Sequence, residues 1–145
     1  MLSMNSYPKE YIDECRTKVN QQLASYKNLV ATKKQAEANK EQLNSAFESF
    51  EPEFFHHMVL ALDHYFCHRS RTLEKKDGNP LNEVRMLCNS IMEHDNKLTA
   101  EKSIKYKSEK SILKYEIGDE IKLNAEDFEQ LSKAFFDEME SKFLE

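Results

Sequence analysis

Four of the five histidines in this 145-residue chain fall between His56 and His68, and they are the residues best suited to chemistry. On a helix, His64 and His68 are four apart, so both imidazoles can reach one ion from the same face. Glu53 and His57 extend that stripe, and the four together would suit a divalent transition metal. Glu53-Phe54-Phe55-His56 also has the Glu-x-x-His spacing that di-iron helical bundles use. Such bundles need a second copy of that spacing, and the chain has none. The simpler expectation is therefore no cofactor, with the metal as the alternative.

Other chemistries find less support. Asp63 beside His64 is a poor acid–base pair, because neighbours on a helix point about 100° apart. Cys67 and His56 are too far apart along a helix, at about 16 Å, to act as a nucleophile pair. There is no serine nucleophile elbow, phosphate loop, dinucleotide fingerprint or calcium loop. The expectation is a protein without catalytic activity. Cys15, Cys67 and Cys88 are odd in number and widely spaced, which predicts buried thiols rather than disulfides. Arg69 and Arg85 would hold an anion if they faced inward beside His68; a salt bridge between helices is the plainer reading.

Two glycines, three prolines and no tryptophan leave few turn residues, which argues against an all-β fold. The predicted architecture is mainly α with an α+β element: a helical bundle, a long N-terminal helix or helical hairpin, and a small antiparallel β-meander before the C-terminal helix. One domain over residues 1–145 accommodates it. Within residues 9–50, apolar positions from Ile12 to Phe50 alternate at steps of three and four, a heptad seam interrupted by Gln22, Lys33 and Lys40. One continuous helix would be about 60 Å long; two helices with a turn inside Lys33 to Gln42 would fit equally well. The seam predicts a contact surface of Val19, Tyr26, Leu29, Leu43 and Phe47.

Residues 52–95 read as two further helices. Pro52 suits a first turn and breaks the chain from Glu51, giving a helix to about Thr72. Asp77-Gly78-Asn79-Pro80 is turn, cap and first helical position in succession, and the helix it starts buries Leu81, Val84, Leu87, Cys88, Ile91 and Met92. Between residues 103 and 123 the apolar period drops to two, through Ile104, Tyr106, Leu113, Tyr115, Ile117, Ile121 and Leu123, which predicts the meander. Asn124 then caps a helix over residues 125–143 with the stripe Phe128, Leu131, Phe135, Met139 and Phe143.

Charge is uneven about a net of −5. Asn96 to Tyr115 holds six lysines against two glutamates, whereas Glu116 to Glu145 holds three against ten acids. Lysines with Tyr106 and Tyr115 suggest a nucleic-acid platform, but overall acidity argues against it, and lysines on a small sheet serve to block edge pairing. No apolar run reaches the length of a signal core or a membrane span, which predicts a cytoplasmic protein without membrane contact.

Met58-Val-Leu-Ala-Leu-Asp-His-Tyr-Phe-Cys-His-Arg, with Lys76-Asp-Gly-Asn-Pro-Leu-Asn-Glu-Val-Arg and the stretch from Ile112 to Phe143, resembles a family of small uncharacterised bacterial proteins. The resemblance covers about the last two-thirds of the chain. It implies a bacterial, cytoplasmic origin and carries no activity or site residue with it. The functional expectation is a non-enzymatic helical interaction or self-association protein, joined to a second copy or another helical partner. The alternative is a metal- or small-ligand-binding protein built on Glu53, His57, His64 and His68.

Overall fold

Apolar side chains spaced three and four apart must be buried on one side of a helix, and that requirement shapes the first half of the chain. The computed structural model describes residues 3–35 and 40–145. Helix α1, Lys9–Gln35, buries Ile12, Cys15, Val19, Leu23 and Tyr26. Helix α2, Lys40–His64, buries Phe55, His56, Met58, Val59 and Leu62. The two run antiparallel, since Tyr26 meets Phe47, Phe54 and Phe55, while the Tyr11 hydroxyl donates to the Tyr65 carbonyl near the other end. Residues 9–50 are therefore part of a hairpin rather than one rod. Its junction, placed by the sequence between Lys33 and Gln42, falls partly on residues 36–39, outside the described residues.

Two boundaries differ from the sequence expectation. Pro52 lies inside α2 instead of starting a helix. A proline there removes one bond of the ladder, a loss of about 3 kcal/mol. Stacking of Tyr26 on Phe54 and of Phe50 on Phe54 spans the break. The helix also stops at His64, short of Thr72. Beyond it the Phe66 N–H donates to Asp63 and the Cys67 N–H to His64, a tightened turn that leads to the short helix α3, Arg71–Glu74.

Helix α4, Pro80–Glu93, begins at Asn79, whose side chain accepts from the N–H groups of Leu81 and Asn82. Helix α5, Ala125–Phe143, begins with a capping box in which Asn124 and Asp127 bond each other's backbone. α2 packs on both α4 and α5, α4 on α5, and α1 on α2 and α5. Phe55, Phe66, Phe128, Phe135 and Phe143 are fully buried where they meet. Each contributes about 1.5–3 kcal/mol of hydrophobic stabilisation. The N-terminal stretch closes the bundle: Met4 exchanges backbone bonds with His68 and Ser70, and Tyr7 with Phe143 and Glu145.

The predicted meander does not exist. Among the described residues there is no β-strand, only three isolated bridges, and the protein is a mainly helical bundle of five helices with one 3-10 turn at Ser108–Lys110. Ile104, Ile121 and Leu123 are buried as the alternation requires, but their backbone does not pair strand to strand. The N–H groups of Ile112 and Leu113 donate instead to the carboxylate of Glu83 on α4, at 2.8 and 3.0 Å. That of Lys105 donates to Lys76 and that of Ile121 to Asn96. Lys114, at φ 63°, turns the chain where a strand would have run straight.

Candidate functional site

The histidine stripe does not assemble. Glu53, His57, His64 and His68 are all exposed, and among the described residues no group of three or more His, Cys, Asp or Glu side chains is placed to hold a metal ion. The tightened turn after His64 is the reason, since it moves His68 off the helical position that would stack it over His64. The Nδ1 of His57 is bonded to the Glu53 carbonyl at 2.8 Å. His56 points the other way: it is buried, its Nε2 has no partner, and burial lowers its pKa.

The seam residues divide into two groups. Val19 and Tyr26 are buried within the chain itself, Tyr26 against Phe54 and Phe55 of α2, and Val19 shows only its edge at the floor of the α1–α2 groove. Leu29 is 50% exposed, and Leu43 and Phe47 are half-buried. Phe50, 45% exposed, is a further apolar side chain left open on the same hairpin. Leu29 and Phe50 continue an apolar groove of about 240 Å³ between α1 and α2, lined by Val19, Gln22, Phe54, His57, Met58 and Ala61. Leu29 lies two turns beyond Gln22 and Phe50 one turn before Phe54, so both stand on the groove side. The α1–α2 hairpin thus carries an uncovered apolar face running from the groove to its outer half. Lys33 lies over the Phe47 ring at 4.6 Å and screens part of that side chain.

A wider groove of about 500 Å³ separates α2 from α4, lined by Leu60, Asp63, His64, Cys67, Cys88 and Met92. Its residue types invite a catalytic reading, which the geometry does not favour. Burial pushes the Cys88 thiol far up, and its Sγ–H is spent on the Val59 carbonyl. Cys67, expected to be buried, is exposed. Asp63 is held 2.9 Å from the Arg69 guanidinium. Arg69 and Arg85 do face inward, but toward Glu74 rather than an anion site: Arg69 Nε donates to Glu74 at 2.7 Å and Arg85 Nη2 at 2.6 Å. No helix among the described residues is long and apolar enough to cross a membrane.

Neither family models, nor curated proteins, nor solved structures yield a match to this chain. Function must therefore be read from the surface itself. Sequence reasoning placed Phe50 at the end of the apolar pattern without distinguishing it as a side chain that would stay open. The distinguishing feature is where α5 begins to cover the hairpin, a tertiary fact with no local signature.

Proposed function

We propose that this protein is a non-enzymatic, cytoplasmic interaction module whose contact surface is the open face of the α1–α2 hairpin. The observation that carries the reading is the exposure of Leu29 and Phe50 together on one hairpin that also carries an apolar groove. An apolar face with heptad spacing fits a helix from a partner, either a second copy of this chain or another protein. Half-buried Leu43 and Phe47 would border the contact, and His57 would sit within it.

The test is site-specific crosslinking in cells. A photoreactive phenylalanine analogue at position 50 or 29 should give a discrete adduct, while the same analogue at exposed Lys133 on α5 should give none. Labelling at neither position 50 nor 29, in protein with normal helical content, would refute the reading.

A further inference from the structure

The lysines of residues 102–107 lose the role that a sheet would have given them, because no sheet is present to need edge protection. The fold instead joins them to a second basic stretch. The Lys105 N–H donates to the Lys76 carbonyl at 2.9 Å, which holds the loop before the 3-10 turn against the turn after α3. Gly78 permits that closure: at φ +89°, a side chain there would place its Cβ 2.6 Å from the Lys105 carbonyl oxygen. Lys75, Lys76, Lys102, Lys105 and Lys107, all exposed, are thereby carried on two adjoining segments, and none of them takes part in an ion pair among the described residues.

Lys75 offers a way to test the patch. Its backbone sits at φ 67°, ψ −176°, a region that glycine alone occupies without strain. Its carbonyl accepts from Asn82 Nδ2 at 2.9 Å and its N–H donates to Arg71, so the surrounding turn imposes that geometry. Glycine at this position would relax the backbone, so Lys75→Gly removes an ammonium group without straining the turn.

We propose that this patch binds the phosphate backbone of double-stranded nucleic acid without reading its sequence. Single strands need open aromatic rings for stacking. Here the Tyr106 hydroxyl donates to the Tyr115 carbonyl, the Tyr115 hydroxyl bonds Lys122, and both rings are half-buried. None of the five lysines lines the α1–α2 groove or the α2–α4 groove, and exposed lysines on adjoining loops suit a rod of regularly spaced phosphates. A membrane-docking surface would add inserting apolar side chains, whereas the segments that carry these lysines, residues 75–76 and 102–107, include no exposed large apolar residue.

Fluorescence anisotropy of a labelled random-sequence 30-base-pair duplex tests the proposal. Affinity should fall by about two orders of magnitude between about 50 and 200 mM KCl, with a log–log slope of about −3 to −4.5. Lys75→Gly with Lys105→Gln should reduce that slope by about two, with an unchanged or higher Tm because the backbone strain is relieved. If that variant misfolds, Lys76→Gln with Lys107→Gln provides the same readout at exposed sites. Lys18→Gln with Lys34→Gln on α1 should leave binding intact. Failure to bind at 20 mM KCl would overturn the proposal. So would equal affinity for polyglutamate or phosphatidylserine vesicles, or an equal loss in the α1 variant. None of these results bears on crosslinking at position 50, so the two functional readings fail separately.

Discussion

Glu74 is fully buried, yet its carboxylate is charged because every direction around it is occupied by a donor. Arg69 and Arg85 supply guanidinium N–H groups, and Asn82 Nδ2 donates at 2.8 Å. Burial alone would raise its pKa, but these partners outweigh it and bring the group down to about 2. The folded pKa therefore lies below the unfolded value of about 4.5, so the contribution to stability is complete above about pH 4.5 and is lost as pH falls toward 2. A shift of that size corresponds to roughly 3 kcal/mol. Urea unfolding measured between pH 7 and pH 3 should show about 2 kcal/mol of that loss, since pH 3 still lies above the folded pKa, and Glu74→Gln should flatten it. The same substitution should cost about 3–5 kcal/mol at pH 7, because Arg85 then loses its counter-charge in the interior and Arg69 retains only Asp63.

Helices were legible where the signal is local. Asn79 with Pro80, and Asn124 with Asp127, mark the starts of α4 and α5 through bonds that span three residues or fewer. The meander misled because alternation reports only which side chains go inward, not what satisfies the backbone. Ile112 and Leu113 are bound by Glu83, about thirty residues upstream, and no local pattern encodes that contact. The candidate site divides the same way: the heptad spacing located the hairpin, but Val19 and Tyr26 were claimed by the bundle and the histidines separated by a tightened turn. Pro52 is the remaining conflict between sequence and element. Since α2 continues through it, Pro52→Ala should restore a helical bond and raise stability by about 1–2 kcal/mol, seen as a higher urea midpoint with an unchanged m-value. A loss of stability would mean that Pro52 sets a bend on which the packing of Phe54 and Phe55 depends.

At the scale of the whole molecule, the hairpin is unevenly supported. No described residue of α1 after Tyr26 is buried, and none of α2 before Phe55. α5 meets the hairpin at that level, through Phe128 against Phe55 and the Lys27–Glu129 ion pair, so beyond it the hairpin is an arm only two helices thick. Few buried contacts mean that such an arm opens without unfolding the bundle. Hydrogen exchange should therefore separate two classes of amide. Those at residues 44–50 should exchange by local opening at least about a hundredfold faster than those of Leu87 and Phe135, whose exchange requires global unfolding. Phe50→Glu should leave the slow class unchanged, because its ring adds little to the core. A partner seated on the arm would slow the fast class selectively, which links this measurement to the proposed contact. Equal protection in both classes in the isolated protein would show that the arm is held as firmly as the core, and that its apolar face needs no partner to be stable.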